Sequence, residues 1–425
     1  MRRTLTLIAI VIVILGLIIG VYFFFFANKG PSLTVDGSAV ENPFGGVGSG
    51  TSTNTGVGTG SSGETDFTDT GATVVAAQPA PRLVEISAGP VADGTADVRV
   101  VVPPQGTVDA DGSSTAPTAG TTTDTEIRYI ERSSGNVYAY RVHANTLTRI
   151  SNRTIPGVQD ASWLADGSIA YARYVTTDAD GTMHVEGYAL PSTGVGGFAL
   201  PRDLAQAFAA GSSTLFTLAA GTNGSIGTLA KADGTGGHTA FSSLLSQITA
   251  FYSKAGLFAM TRPSASVGGY AFSVDGSGSF VRTLGPLNAL SILPNHAGTK
   301  LLVSYLDAGT LRLASYDLAS KQLTALPVST LAEKCAWTAD DLSAYCGVPV
   351  SLPSGTLPDD WYQGAVSFSD RIWKIDFDSR VAELIANLPT LAKTDIDATS
   401  LALDPTDDVL TFINKRDGSL WSYDL

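Results

Sequence analysis

Two acids beside two aromatic residues form the densest group of chemically useful side chains in the sequence: Asp359, Asp360, Trp361 and Tyr362. They lie in a segment rich in proline, glycine and serine, residues 351–364. Aromatic rings give a large contact area at a low cost in side-chain entropy, so an exposed pair predicts binding of a protein or a sugar ring. The alternative is a lid that folds over the protein with its rings packed inward.

Carboxyl groups in this region also permit a second hypothesis, an enzyme that hydrolyses or eliminates a polymer. Asp376 and Asp378 follow Asp359 and Asp360 along the chain, and glycosidases place two carboxyl groups about 5 to 9 Å apart. The sequence after residue 82 contains no serine elbow, no phosphate-binding glycine loop and no His-Glu-x-x-His motif. We therefore single out no catalytic residue, and we favour binding over catalysis.

The two cysteines, Cys335 and Cys346, flank a turn centred between Asp340 and Asp341 at equal distances. This symmetry predicts that they face each other on adjacent strands. A disulfide is the favoured state in an oxidising compartment, and two buried thiols are the alternative. Cross-strand disulfides need a close pair geometry that spacing alone does not establish.

No metal or cofactor site is predicted. The four histidines, at positions 143, 184, 238 and 296, share no motif. The run Asp178-Ala-Asp180-Gly181 resembles the middle of a calcium loop, but Thr176 and Gly187 stand where the first and last ligands are needed. We interpret this run as a hairpin turn.

Composition limits the classes of function. The 425 residues include 26 basic and 39 acidic side chains, which leaves a formal charge of −13 and makes a basic nucleic-acid-binding surface implausible. Two cysteines and four histidines are too few for zinc sites built from repeated Cys and His ligands. Charged residues make up only 15%, against roughly 25% in soluble domains, and glycine is abundant.

The N-terminus predicts a membrane anchor. Leu5 to Ala27 carry no charge, and at about 1.5 Å per residue they form a helix long enough to cross a bilayer. A cleaved signal peptide is disfavoured because Phe23 to Phe26 replace the small residues of a cleavage site. Arg2 and Arg3 precede the span, so residues 1–28 are predicted to be a cytoplasmic tip and anchor, with the rest of the chain in the periplasm or on the cell surface.

Two stretches are predicted to lack a core. Residues 29–81 consist mainly of Gly, Ser and Thr and are interpreted as a flexible linker between the anchor and a folded domain at 82–425. A second stretch of similar composition, about 103–124, interrupts the folded domain and is interpreted as a disordered loop.

The folded domain repeats at intervals that are typical of propeller blades. Short apolar runs that resemble one another end at positions 129, 171, 217, 259, 303, 345 and 412. Most steps between them are 42 to 46 residues, and a period of this size with four strands per unit predicts a seven-bladed β-propeller. The last step is longer because blade six contains an insertion, from Val348 to about Phe368.

The start of the domain is predicted to close the ring. The chain ends after the third strand of blade seven, and residues 83–87 resemble the outer strand of blade one, residues 147–151. Residues 82–87 should therefore complete blade seven and remove an open sheet edge. Residues 91–102 would then form the innermost strand of blade one.

Strand pairs joined by a turn, such as residues 162–171 and 403–412, resemble the repeats of PD40 or TolB-like propellers, a class of WD40-like proteins. The resemblance covers about residues 82–425 and implies the fold and a prokaryotic envelope setting. The Gly-His and Trp-Asp pairs of the WD40 family itself are missing. We expect a membrane-anchored platform that binds a protein or glycan partner, and a hydrolase or lyase of envelope polymers is the alternative.

Overall fold

The structure of the protein is a computed structural model that describes residues 82–102 and 122–425. The predicted anchor, the predicted linker and most of the predicted loop at 103–124 lie outside these residues. Among the described residues, no helix has the length and apolar character needed to cross a bilayer. A strand spans Thr122–Ile130, so the last three residues of the predicted loop belong to a strand instead.

The described residues form seven four-stranded antiparallel sheets, which confirms the predicted all-β, seven-bladed propeller. Blade one contains β2 Ala96–Val102, β3 Thr122–Ile130, β4 Val137–Arg141 and β5 Thr146–Arg149, and blade two contains β6 Val158–Trp163, β7 Ile169–Thr177, β8 Met183–Pro191 and β9 Phe198–Ala199. Blade three contains β10 Leu204–Ala209, β11 Thr214–Gly221, β12 Gly224–Lys231 and β13 His238–Ser243, and blade four contains β14 Ile248–Ser253, β15 Gly256–Thr261, β16 Gly268–Val274 and β17 Phe280–Asn288. Blade five contains β18 Ser291–Pro294, β19 Lys300–Asp307, β20 Thr310–Asp317 and β21 Gln322–Ala325. Blade six contains β22 Cys335–Trp337, β23 Ser343–Pro349, β24 Asp370–Asp376 and β25 Ala382–Asn387, and blade seven contains β26 Ala398–Leu403, β27 Val409–Asn414, β28 Leu420–Asp424 and β1 Leu83–Ser87.

Strand β1 closes the ring as predicted. It pairs antiparallel with β28, and Leu83 lies opposite Tyr423. The backbone N–H of Asp424 donates to the Arg82 carbonyl at 2.8 Å. Residues at the two ends of the domain thus share one sheet. As a result β28, the third strand of blade seven, is paired on both sides.

The innermost strand of blade one is shorter than predicted. It begins at Ala96, while Val91 makes only an isolated bridge to Glu131. Gly94 separates the two, because its φ of +100° is incompatible with a regular strand and its backbone lies against blade two. A Cβ there would stand 2.2 Å from the Ala161 carbonyl oxygen. Residues 91–94 therefore belong to the connection into the strand.

The core is divided among the contacts between neighbouring blades. Each of the seven interfaces has its own cluster of buried side chains, as between blades five and six, where Leu302 and Leu313 pack with Trp337 and Ile375. An eighth cluster lies beneath the blade-six insertion. Period-two alternation places these residues on the sheet faces that meet, so the repeat itself builds the core.

Connections between strands divide between two edges of the propeller. The edge with the blade-to-blade connections also carries the loop from β23 to β24, residues 350–369, and we call it the insertion rim. In blades two to seven the opposite edge carries the turns from the first strand to the second, and we call it the turn rim. Gly167 occupies the left-handed position of such a turn in blade two, with φ +67°, within residues 162–171, which the sequence predicted to be two strands joined by a turn.

Candidate functional site

The insertion packs against the propeller as a lid. It contains a short helix, α1 Asp359–Tyr362, and is closed at its base where the Val350 N–H donates to the Ser369 carbonyl at 2.8 Å. Leu357, Trp361 and Phe368 of the insertion pack against Leu311 and Leu331 of the blade-five region. Trp361 is only 4% exposed and Tyr362 is half-buried, so the prediction of an exposed pair is wrong for Trp361, whose ring packs inward as in the alternative. Trp361 packs inward because burying the three large apolar side chains of this loop removes their surface from water.

The structure brings the four predicted site residues together, and each is held by a specific contact. Asp359 accepts from the Ala265 N–H of blade four at 2.7 Å, and Asp360 accepts from the Thr356 N–H at 2.6 Å. The indole N–H of Trp361 donates to Asp397 at 2.9 Å. The Tyr362 hydroxyl donates to Glu333, and Tyr362 is half-buried. Both predicted acids therefore fix the insertion.

The four acids on which the hydrolase hypothesis was based, Asp359, Asp360, Asp376 and Asp378, do not lie together. Asp376 lies at the end of β24 that reaches the turn rim, about 20 Å along the strand from the insertion. Its carboxylate accepts from the Ser379 N–H at 2.7 Å, while Asp378 is exposed and lies 3.9 Å from Lys300. The alternation of strand direction separates these acids, although they are near neighbours in sequence.

A buried ion cluster, formed by Lys334, Asp370 and Asp397, fixes the insertion to the blades. None of the three side chains has exposed surface. The Lys334 ammonium lies 2.9 Å from Asp370, contacts Asp397 directly and donates to the Ala398 carbonyl at 2.7 Å. Asp397 also accepts from the Phe368 N–H at 2.9 Å, in addition to Trp361. The insertion is thus hydrogen-bonded to a carboxylate that Lys334 neutralises.

Strand direction explains why these three residues meet. Lys334 ends a 3₁₀ turn, Ala332–Lys334, just before β22, while Asp370 opens β24 and Asp397 directly precedes β26. First and third strands of a blade run in the same direction, so all three positions lie at the insertion rim. Sequence analysis missed this cluster because 36 and 27 residues separate its members along the chain, with no motif or period between them.

Burial also shifts the titration of groups in and near the cluster. It raises the pKa of Asp370 to about 6, against the opposing effect of the Lys334 charge. It raises the pKa of Glu333 as well, although the Tyr362 hydroxyl and Lys334 lower it, and it lowers the pKa of Lys415. Among the described residues, Oδ1 of Asp370 has no hydrogen-bond partner. This part of the rim therefore holds charged groups away from water.

A first cavity of about 750 Å³ lies between the insertion and blades seven and one. Lys415 and Arg416, on a turn of blade seven, bind the insertion: Lys415 donates to the Trp361 carbonyl and Arg416 donates to the Phe368 carbonyl at 3.1 Å. Cations and acids are equally represented in its wall, which contains Arg132, Lys415, Arg416, Asp93, Glu333 and Asp417. This mixture suits a polar ligand with charges of both signs.

A second cavity of about 520 Å³ lies on the other side of the insertion, over blades three to six. Its wall is more apolar and contains Ile248, Phe251, Met260 and Pro263. Glu333 and Tyr362 line both cavities, so their hydrogen-bonded pair forms the wall between the two. The insertion thereby divides one opening of the propeller into two compartments of different chemistry.

The predicted disulfide is confirmed. Cys335 and Cys346 lie directly opposite each other in β22 and β23 and form a disulfide, with the Cα atoms 4.1 Å apart. It joins the innermost two strands of the blade that carries the insertion. Since Cys335 follows Lys334, the bond also holds the start of β22 in place.

The remaining candidates for metal binding have structural roles. Residues 178–181 form the turn between β7 and β8, where the Gly181 N–H donates to the Asp178 carbonyl, as interpreted from sequence. His143, His184 and His296 each contact an aspartate, namely Asp124, Asp203 and Asp341, and they lie in different blades. Within the described ranges no group of three His, Cys, Asp or Glu side chains is arranged to hold a metal ion.

No protein-family model matches the chain, and no curated protein matches it either. Solved structures similar to it in fold are β-propellers. YCF48 from Cyanidioschyzon merolae is 10% identical, with a TM-score of 0.48 over 81% of this chain and 99% of that one. The β-propeller domain of the Trilobed protease from Pyrococcus furiosus is 9% identical, with a TM-score of 0.44 over 77% and 93%. TolB from Acinetobacter baumannii is 12% identical, with a TM-score of 0.40, and the match spans 59% of each chain. At these identities the likeness concerns the fold alone.

Proposed function

We propose that this protein is a non-enzymatic binding platform of the cell envelope, whose insertion rim holds a protein or glycan partner. The observation that carries the proposal is the rigid construction of the two cavities. Their dividing wall belongs to an insertion anchored by Lys334, Asp370 and Asp397, all without exposed surface. A preformed site of this kind binds without the entropic cost of ordering a loop.

The binding hypothesis is favoured over hydrolysis by how the acids are used. Asp359 and Asp360 accept backbone hydrogen bonds, and Asp376 and Asp378 lie at the other rim. The lyase or hydrolase alternative was based on these four acids, so no observation now favours it.

We further propose that residues 1–28 anchor the chain as a single-pass membrane protein with the propeller outside the cytoplasm. The disulfide between Cys335 and Cys346 supports an oxidising compartment. The linker at 29–81 would keep the rim close to the membrane and raise its effective concentration there. Deletion of residues 1–28 should release the protein from the membrane fraction of its cells, and retention in that fraction would contradict the anchor.

Site-specific photocrosslinking in the native cells tests the binding rim. A benzophenone amino acid at Ser246, which lines the second cavity, should yield a discrete crosslinked product in the full chain. The control position is Val381, which is 59% exposed on the turn rim. Equal products from both positions, or none from Ser246, would refute the proposal. Mass spectrometry of the product distinguishes a protein partner from a glycan.

A further inference from the structure

A third cavity, of about 370 Å³, opens at the turn rim. Its wall comes from the innermost strands of blades five, six and seven and from the turns that follow them. Most of this wall is apolar. The apolar lining residues include Leu293, Pro294, Trp337, Leu401, Leu403 and Pro405. The three leucines remain partly exposed, so they present apolar surface to the opening.

The polar side chains of the wall are already engaged within the propeller. Asp404 accepts from the Thr125 hydroxyl at 3.0 Å, and Asp407 accepts from the Ala339 N–H at 3.1 Å. The ring of His296 contacts an aspartate of blade six at 2.8 Å. An occupant of this cavity therefore gains more from apolar contact than from new hydrogen bonds.

The polypeptide reaches the domain close to this cavity. Arg82, the first described residue, lies at the turn rim, where its carbonyl accepts from the Asp424 N–H at 2.8 Å. The Leu425 N–H donates in turn to the Asp408 carbonyl at 2.8 Å, and Asp408 follows the cavity residue Asp407. Three strand spacings separate the outer strand of blade seven from its innermost strand, so about 14 Å of sheet lies between Arg82 and the cavity wall.

The sequence before Arg82 has the composition needed to cross this distance and to fill the cavity. Residues 78–81 are Gln-Pro-Ala-Pro, which favours the extended polyproline conformation. Four such residues span about 12 Å. They are preceded by Val74-Val75-Ala76-Ala77, the only run of more than two consecutive apolar residues within 29–81. The apolar run is thus attached at the distance at which the cavity lies.

This attachment favours residues 74–77 over a separate ligand. A segment joined to the domain by a short connection has an effective concentration of about 1 mM, so it displaces a free ligand of similar affinity that is present at micromolar concentration. A second copy of the chain offers the same residues without this advantage. The occupant that the cavity fits best is therefore part of its own chain.

We infer that residues 74–77, which lie outside the described residues, dock in the third cavity of the same chain. Docking removes the valine side chains and the partly exposed leucines of the wall from water. It closes the opening of the propeller at the turn rim and leaves the insertion rim as the open end. The docked segment thus also fixes where the predicted linker leaves the domain, on the rim opposite the proposed binding rim. This inference does not depend on what the insertion rim binds.

Photocrosslinking within the full chain tests the docking. A benzophenone amino acid at Ala77 keeps both valines and should crosslink to residues 394–415, the tryptic peptide that contains Leu401 and Leu403. The crosslinked protein should have the mass of one chain. A product with the mass of two chains would instead assign the segment to a neighbouring copy and would overturn the inference.

Substitutions in the segment separate docking from mere proximity, with the same benzophenone reporter in place. Val75→Asp should lower the yield of the crosslinked peptide at least about tenfold, because the apolar cavity would have to take up an unpaired charge. Val57→Asp changes an isolated valine of the same linker and should leave the yield unchanged. Equal yields from the two variants would overturn the inference.

Substitutions in the cavity give an independent comparison. Ala339→Trp places a large ring at an exposed residue of the cavity wall and keeps the backbone N–H that Asp407 accepts from, so it should lower the yield as Val75→Asp does. Ala319→Trp, at an exposed turn of blade five outside the cavity, is the matched control. An unchanged yield in Ala339→Trp, with a far-ultraviolet circular dichroism spectrum like that of the wild type, would show that the segment does not dock in this cavity. That result would leave the proposed binding at the insertion rim standing.

Discussion

Aspartate stabilises the two rims of the propeller in different ways. At the turn rim, Asp341 of blade six accepts from the backbone N–H groups of His296 and Ala297 in blade five, at 2.9 and 2.8 Å, and its side chain is 16% exposed. Asp407 of blade seven accepts from the Ala339 N–H of blade six in the same manner. At the insertion rim, Asp370 and Asp397 are fully buried and face Lys334.

The difference teaches how strongly each contact depends on its partners. Asp341 and Asp407 accept from backbone N–H groups, which remain when the donor residue is replaced by any residue other than proline, and Asp341 also contacts the His296 ring at 2.8 Å. The insertion-rim aspartates also accept hydrogen bonds from the Phe368 and Ala398 N–H groups, but a single lysine side chain balances their charge, and burial makes an unpaired charge there very unfavourable. We therefore expect large, mutually dependent effects at the insertion rim and small, independent ones at the turn rim.

The largest effect is expected when the buried cation is removed. Lys334→Met leaves Asp370 and Asp397 without their counter-charge, which should lower the free energy of unfolding by about 3 to 5 kcal/mol. Lys300→Met is the matched control, because Lys300 lies 3.9 Å from the exposed Asp378 at the turn rim. That exposed pair should contribute about 0 to 1 kcal/mol. Chemical denaturation followed by tryptophan fluorescence measures both variants.

Equal losses in the two lysine variants would contradict the comparison. Lys334→Met should also disturb the insertion in the folded state, because Asp397 binds both Trp361 and Phe368. An unchanged near-ultraviolet circular dichroism spectrum would show that the cluster does not position the lid.

Sequence predicted the parts of the fold that a local, repeating pattern encodes. The second strand recurs in all seven blades, turns comparable to Asp166-Gly167 recur in blades six and seven, and the copy of one outer strand near residue 83 located the closure. The pairing of Cys335 with Cys346 followed from symmetry about one turn. These features depend on residues close in sequence or on comparison of one blade with another.

Most of the candidate site could not be predicted in this way. Nothing in the sequence around Lys334 indicates that it is buried. Its partners lie far away along the chain, and only the arrangement of the blades brings them together. Trp361 was located correctly as part of the insertion, but whether it packs inward depends on Leu311 and Leu331, which belong to an earlier blade. Contacts of this kind between distant residues leave no repeating pattern in the sequence.

The two rims should also differ in the sign of their dependence on pH. Burial raises the folded-state pKa of Asp370 to about 6. The protonated, neutral form of Asp370 therefore stabilises the folded protein below about pH 4, and this contribution is lost as the pH rises towards 6. Asp340 at the turn rim has a lowered pKa because its carboxylate accepts from the Leu342 N–H and the Thr338 hydroxyl. The stability it contributes is present above about pH 4 and is lost as the pH falls.

Asp370→Asn and Asp340→Asn separate these two contributions. Between pH 4 and 6, Asp370→Asn should gain stability relative to the wild type, by up to about 3 kcal/mol, because it never carries the buried charge. Asp340→Asn should instead be less stable than the wild type at neutral pH, and this difference in stability should disappear as the pH falls below about 4. Denaturation curves at several pH values measure both differences, and parallel curves for Asp370→Asn and the wild type would contradict the raised pKa.

The smallest effect is expected at Asp407, where a favourable contact and an unfavourable backbone oppose each other. Asp407 has φ +58°, and the equivalent turn position is Gly167 in blade two and Gly298 in blade five. Asp407→Ala loses the bond to Ala339 and keeps the left-handed strain, so it should cost about 1 to 2 kcal/mol. Asp407→Gly loses the same bond but relieves the strain, so it should cost about 1 kcal/mol less than the alanine variant. Equal stabilities for Asp407→Ala and Asp407→Gly would show that the left-handed backbone at residue 407 costs no stability, which would contradict this account.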